Sequence, residues 1–128
     1  PVLLIGGAAA SLLQGRGALQ DIDQLALFKP LCKYTASVRS IRDIAPTLQR
    51  AMQEAQSGTP GPVFVELPID VLYPYSTVSK EVVPPGPPPK NIKQRIVQWY
   101  LNNYLSNLFS GAWEPRHHGP LTLSIPTA

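Results

Sequence analysis

Proline is unevenly distributed along this chain of 128 residues. All but two of its 15 prolines lie from Pro46 onward, and they are densest between Pro84 and Pro89. Proline fixes φ and has no backbone N–H, so that dense stretch can enter neither the interior of a helix nor an inner strand. We therefore expect a folded unit over residues 1–75. The segment from Tyr73 to Lys90 should then run as extended polyproline II, with residues 76–90 as a linker.

The apolar residues before this linker follow the patterns of a parallel α/β fold. Two apolar runs are typical of strands buried on both faces: Val2 to Ile5, which is ended by glycines, and Val63 to Leu67, which is ended by proline. The segment from Lys33 to Val38 also favours a strand. Helical spacing predicts a short helix within Asp21 to Leu31 and a longer one from about Asp43 to Gln56. We expect Val2 to Ile5 and Val63 to Leu67 to lie parallel in one sheet, packed by the longer helix.

The region after the linker has one clear pattern. An amphipathic helix is predicted for residues 91–110. Its aromatic and aliphatic side chains, between Asn91 and Phe109, cluster toward one side. We expect this helix to dock on the α/β unit in the full protein, and to be loosely packed or prone to self-association in these residues alone. The alternative is a membrane surface, suggested by the basic residues at its start. Residues 111–128 should form a further linker, with one possible short strand from Leu121 to Ile125.

Charge and cysteine content exclude several classes of function. Eleven Lys and Arg against eight Asp and Glu give a net charge of +3, and the excess is too diffuse for a nucleic-acid interface. Cys32 is the only cysteine, which precludes an internal disulfide and the usual zinc motifs. The apolar run near the start is far shorter than the ~20 residues of a spanning helix. Because the chain begins at Pro1 without a signal pattern, we expect it to be cut from something longer.

Four stretches of the chain carry a family resemblance. They are Pro1 to Gly7, Gly15 to Asp21, Cys32-Lys33, and Ser57 to Val71. In this order they resemble the second half of the pyrimidine-binding domain in thiamine-diphosphate enzymes of the acetolactate synthase group. The last stretch is the most specific, since a helix end, a Gly-Pro turn, a strand and a Pro-x-Asp exit coincide there in register. The tail from Trp99 to Pro115 is similar to the link toward the central domain in animal members of the 2-hydroxyacyl-CoA lyase type.

The resemblance implies a parent enzyme that makes or breaks a carbon–carbon bond beside a carbonyl. Its cofactors would be thiamine diphosphate and Mg²⁺, and its substrate would be a small molecule. The enzyme would assemble as a homo-oligomer with active sites between subunits. It also implies residence at the endoplasmic-reticulum membrane, through a segment absent here. The family places its activating glutamate upstream of Pro1, and no Gly-Asp-Gly metal motif occurs. We therefore expect no catalytic residue and no metal ligand in these residues, and no activity or cofactor binding from them alone.

Three residues are candidates for the site by this resemblance. Gln20 would lie near the cofactor, although a glutamine that satisfies backbone groups at a helix start is an equal alternative. Leu19, where the family has phenylalanine, would lie on the substrate side. Lys33 would face the substrate channel, against the commoner alternative of a solvated lysine at a strand start.

A different class of function remains open. The segment Pro85 to Lys90 matches PxxPxK, a form that SH3 domains bind as polyproline II. On this alternative the chain is a non-enzymatic α/β interaction module that presents this ligand to a partner. The adjacent His117-His118 pair lacks further ligands, so we expect an exposed loop there rather than a metal site.

Overall fold

The computed structural model describes residues 1–19 and 21–115. In chain order its elements are β1 (Val2–Ala8), α1 (Gln24–Phe28), β2 (Tyr34–Ser37), α2 (Ile44–Gln56), β3 (Pro62–Pro68), α3 (Tyr75–Val82) and α4 (Ile92–Leu108). Single 3₁₀ turns precede α2 at Ile41–Asp43 and follow β3 at Ile69–Val71. The possible strand from Leu121 to Ile125 and the His117-His118 pair lie outside the described residues.

The three strands form one parallel sheet in the order β1-β3-β2. Val2 pairs with Pro62 at the start of the β1–β3 ladder, and Tyr34 pairs with Val63 at the start of the β2–β3 ladder. This confirms that the first and last strands lie parallel in one sheet. The carboxyl ends of all three strands therefore meet at one edge, where parallel sheets usually carry their sites.

The central strand β3 divides the core into two sides. Its odd-numbered residues Val63, Val65 and Leu67 join the apolar cluster that also contains Ala51 and Ala55 of α2. On the opposite side, the ring of Phe64 stacks on Phe28 with centroids 4.2 Å apart. The helix predicted from about Asp43 to Gln56 thus packs the sheet as expected, and the chain has the α/β fold with a parallel sheet that the sequence pattern indicates.

The expectation that β1 is buried on both faces is wrong for this chain. Val2, Leu4 and Ile5 are exposed, because β1 lies at the sheet edge and pairs only with β3 among the described strands. A parallel strand is fully buried only where neighbours and helices cover both of its faces. The apolar run alone did not reveal this edge position.

The extended conformation expected from Tyr73 is also wrong over its first part, because α3 occupies Tyr75–Val82. Pro74 lies at the N-cap of α3, a position that needs no backbone donor. The eight residues after it contain no proline, and Val78 is buried in the core. From Val83 to Asn91 the chain has no helix or strand, as expected. The expected division of the chain into a folded unit, a linker, a helix and a second linker, at residues 75, 90 and 110, stays a prediction.

Helix α4 contacts the α/β unit through its second half. Leu105, Leu108 and the adjoining Phe109 are buried in the same core, while Trp99 is 67% exposed. The rings of Phe109 and Trp113 pack against Tyr75, at the start of α3. Docking of the predicted helix is therefore confirmed for its carboxyl-terminal part, and its first turns leave apolar side chains in solvent. Among the described residues, no helix has the length and apolarity needed to cross a membrane.

Candidate functional site

The segments that follow β1 and β3 meet at the carboxyl edge of the sheet, around one buried carboxylate. Asp70 is 4% exposed and accepts hydrogen bonds from the backbone N–H of Ser11 at 2.9 Å and from the Ser11 hydroxyl at 3.3 Å. The hydroxyl of Tyr104 on α4 donates a third hydrogen bond to the same carboxylate. We call Ser11, Asp70 and Tyr104 the edge junction. It ties two loops of the sheet edge to the helix beyond the linker.

The edge junction keeps Tyr104 in its protonated form. Burial of the phenol raises the pKa of Tyr104, and the hydrogen bond and negative charge of Asp70 raise this pKa further. A phenolate beside a buried carboxylate would place two negative charges together in a medium of low dielectric. Tyr104 is thus a hydrogen-bond donor, and the geometry gives it no role as a base.

A cavity of about 440 Å³ lies beside the edge junction. The loop after β1, the turn after β3, helix α3 and helix α4 all contribute to its walls. Its aliphatic lining includes Leu12, Leu13, Ile69, Val82, Val97 and Leu101. Volumes of this order are usual for small-molecule pockets, which combine an apolar lining with a few polar groups. We call this space the edge cavity.

A second and more polar cleft, of about 480 Å³, lies between the loop after β1, the start of α1, the segment after β2 and the carboxyl half of β3. Glu66, which is 5% exposed, lines it together with Arg39. Asp21 also lines it, and its carboxylate accepts hydrogen bonds from the backbone N–H groups of Arg16 and Gly17. Carboxylates and a guanidinium thus line one cleft at the carboxyl edge of the sheet, beside the loop that carries Leu19.

The structure separates the sequence-predicted site residues. Leu19 is 91% exposed on the loop after β1, and Gln20 lies outside the described residues. Lys33 lies at the opposite, amino edge of the sheet, where its backbone N–H donates to the carbonyl of Pro62. The roles of Leu19, Gln20 and Lys33 near the cofactor and substrate stay predictions. Within this chain, Lys33 and Leu19 lie at opposite edges of the sheet and are not brought together.

The side chain of Lys33 has a structural function in this chain. Its ammonium donates to the carbonyl oxygen of Ser57 at 2.5 Å and to that of Thr59 at 2.8 Å. These carbonyls belong to the turn between α2 and β3, where no helical partner remains for them. Lys33 therefore fixes the turn that leads into the central strand.

Close packing explains why glycine stands at Gly6, the first residue of the Gly6-Gly7 pair. A Cβ atom on Gly6 would lie 2.8 Å from the ring of Phe64 and 2.7 Å from the side-chain oxygen of Gln24. The amide of Gln24 in turn donates to the carbonyl of Gly7 at 2.6 Å. Gly6 thus allows α1 and the Phe64 ring to approach the edge strand closely.

Sequence reasoning does not identify the edge junction. Asp70 is the aspartate of the Pro-x-Asp exit from β3, and Tyr104 is one of the aromatic residues of α4. A carboxylate placed directly after a buried strand is the signal that could have identified Asp70 as a buried acceptor. Its partner on α4, 34 residues away in sequence, had no local signal.

Comparison with known proteins places the chain among its relatives. No protein-family model matches it. The 2-hydroxyacyl-CoA lyase 2 of Homo sapiens is 67% identical over 128 residues, which are 100% of this chain and 20% of that protein. The protein of the same name from Bos taurus is 69% identical over the same shares. The probable acetolactate synthase large subunit of Methanocaldococcus jannaschii is 34% identical over 97 residues, 72% of this chain and 16% of that protein.

These matches confirm the family predicted from the four sequence stretches. The chain spans about one fifth of the length of the 2-hydroxyacyl-CoA lyase 2 relatives that it matches. The acetolactate synthase matches are weaker but cover more than half of it. This chain therefore belongs to the family of 2-hydroxyacyl-CoA lyase 2 and the acetolactate synthases.

Proposed function

We propose that these residues are part of a thiamine-diphosphate- and Mg²⁺-dependent enzyme of the 2-hydroxyacyl-CoA lyase type. The observation that carries the proposal is the identity of 67% and 69% to two proteins of that name along all 128 residues. The reaction we propose is cleavage of the bond between the thioester carbonyl and the hydroxyl-bearing carbon of a 2-hydroxyacyl-CoA. It releases an aldehyde shortened by one carbon and leaves the CoA thioester of formic acid.

The part of this chain in such an enzyme is to form a wall of the site rather than its reactive groups. Thiamine diphosphate supplies a stabilised carbanion when it is bound. The carboxyl edge, with the polar cleft at Glu66 and the loop of Leu19 and Gln20, is where the cofactor would adjoin this chain. Glu66 and Arg39 would orient polar groups there, and the edge junction would hold the loop after β1 in place.

The Mg²⁺ requirement is a proposal that rests on the family resemblance. Residues 1–19 and 21–115 contain no group of three or more His, Cys, Asp or Glu side chains that could hold a metal ion. We therefore assign no Mg²⁺ ligand to them. Homo-oligomeric assembly and residence at the endoplasmic-reticulum membrane are likewise proposals that rest on the family resemblance.

The test is turnover by the longest natural protein that contains this chain. The purified protein, stripped with a chelator, should cleave a 2-hydroxyacyl-CoA only after both thiamine diphosphate and Mg²⁺ are restored, with the aldehyde measured by mass spectrometry. Substitution Gln20→Ala should raise the thiamine diphosphate concentration needed for half-maximal rate, whereas Gln53→Ala on the exposed side of α2 should not. Absence of cofactor-dependent aldehyde formation would contradict the proposal.

The competing function is an interaction module that presents Pro85 to Lys90. Residues 84–88 are exposed, which favours access by a partner. The segment also borders a groove of about 850 Å³ against α4, and the backbone N–H of Lys90 donates to the side chain of Gln94 at 2.8 Å. Saturable binding of SH3 domains to the whole protein, lost on Pro85→Ala and Pro88→Ala, would support this alternative.

A further inference from the structure

We propose that the edge cavity binds the acyl chain of the substrate. This inference rests on the proposed function, which supplies a 2-hydroxyacyl group as the ligand. Its own evidence is the composition, shape and position of the cavity. The cavity lies beside the hydrogen bonds of the edge junction.

The lining of the edge cavity suits a hydrocarbon. Leu13, Ile69, Val97 and Tyr100 all line it, and each is roughly half-exposed. Single exposed apolar side chains are ordinary on a protein surface, but these four converge on one concavity from three separate segments. Contact with an alkyl chain would remove their apolar surface from water.

The buried carboxylate in the lining of the edge cavity has its hydrogen-bond donors within the protein. Asp70 at its inner side already accepts hydrogen bonds from Ser11 and Tyr104. A carboxylate with these donors does not need a polar ligand. The remaining charged lining residues are Arg16 and Glu81. The cavity therefore offers an apolar ligand more contact surface than a polar one.

The position of the cavity connects it to the proposed reaction. Ser11 follows β1 and Asp70 follows β3, so the cavity begins at the carboxyl edge of the sheet. Arg16 is on the same loop as Gly17, whose backbone N–H binds Asp21 of the polar cleft. A substrate whose reactive end lies at the polar cleft could thus extend its tail between α3 and α4.

The volume of the edge cavity suits a single alkyl chain. About 440 Å³ lies in the lower part of the range for small-molecule pockets. A bulky CoA nucleotide would not share this space with an alkyl tail. We therefore assign the cavity to the acyl chain alone, with the CoA group elsewhere.

The first experiment measures chain-length preference in the longest natural protein that contains this chain. Leu13→Trp adds bulk to the cavity wall, and Leu31→Trp makes the same change at an exposed position outside the cavity. Leu13→Trp should raise KM for a long-chain 2-hydroxyacyl-CoA by about tenfold or more, because the pocket then rejects several methylenes. The KM for a short-chain substrate should stay unchanged, and Leu31→Trp should change neither value.

The second experiment measures binding without turnover. The fluorescent fatty acid cis-parinaric acid should bind the wild type and Leu31→Trp saturably, and should bind Leu13→Trp and Val97→Asp at least about tenfold more weakly. Ile96→Asp, one residue away and outside the cavity lining, should bind like the wild type. Circular dichroism verifies that each variant is folded.

The two experiments separate the failure of each proposal. If the protein cleaves no 2-hydroxyacyl-CoA but binds the probe in a way that depends on Leu13 and Val97, the proposed function is wrong and the apolar ligand site stands. If it cleaves both substrates while the cavity variants alter neither chain-length preference nor probe binding, the acyl-chain assignment is wrong.

Discussion

Removal of one hydroxyl, in Tyr104→Phe, is expected to weaken the attachment of α4 to the sheet. The lost hydrogen bond joins a half-buried phenol to a carboxylate that is 4% exposed. Hydrogen bonds to charged groups contribute about 1.5 to 3 kcal/mol each. In this variant Asp70 still accepts both hydrogen bonds from Ser11, so its carboxylate is not left without hydrogen-bond donors. We therefore expect the free energy of unfolding to fall by the lower end of that range, about 1.5 to 2 kcal/mol.

The assay is urea unfolding of the 128-residue chain, followed by tryptophan fluorescence. Trp113 packs on Tyr75 and Phe109 near the end of α4 and should report its release. Tyr100→Phe is the matched control, because Tyr100 is on the same helix and its ring is exposed. It should change the unfolding free energy by less than about 0.5 kcal/mol.

The same pair of proteins yields a pH signature. Because the pKa of Tyr104 is raised in the folded state, the folded protein keeps a proton that the unfolded chain releases near pH ~10. The stability from this group is therefore fully present below pH ~10 and declines at higher pH. The difference between wild type and Tyr104→Phe should shrink above pH ~10. Equal unfolding free energies at neutral pH, or a difference that grows in alkali, would refute the edge junction.

Three further changes test the remaining parts of the structure. Gly6→Ala should cost about 1 to 3 kcal/mol of stability, because its Cβ meets the stacked ring of Phe64; Gly7→Ala, whose Cβ meets nothing within 4 Å, should cost much less. Lys33→Met should lower stability by at most about 1 kcal/mol by freeing the turn carbonyls; an effect on substrate KM with unchanged stability would instead favour the substrate-channel role. Trp99→Ser should reduce self-association in sedimentation velocity, since its side chain is 67% exposed; equal sedimentation of both proteins would show that this part of α4 is a passive surface.

The parts of the fold that follow from local patterns were predictable. The run Val63 to Leu67 is bounded by prolines and buried in the structure, and the helix predicted from about Asp43 to Gln56 buries Ala51 and Ala55 in the core cluster. Both signals depend on residues close together in sequence. They sufficed for the parallel α/β fold, whereas the family was indicated by the resemblance of the four sequence stretches.

What the sequence did not reveal depends on distant contacts. The edge position of β1 is set by which strands pair with it, and an apolar run does not encode its neighbours. Helix α3 was hidden because prolines on both sides of it suggested continuous extended chain. The hydrogen bond from Tyr104 to Asp70 joins segments on either side of the proline-rich stretch. The contacts of Lys33 with the turn at Ser57 and Thr59 likewise join segments that are distant in sequence.

The most direct test of the central claim is hydrogen–deuterium exchange in the longest natural protein that contains this chain, with and without thiamine diphosphate and Mg²⁺. If the cofactor lies against the carboxyl edge as proposed, peptides covering residues 9–23 and the turn at Ile69–Val71 should gain protection. Peptides covering the opposite turn, held by Lys33 at Ser57 and Thr59, should exchange at the same rate in both states. Protection confined to that opposite turn, or no change anywhere in these residues on cofactor binding, would contradict the account.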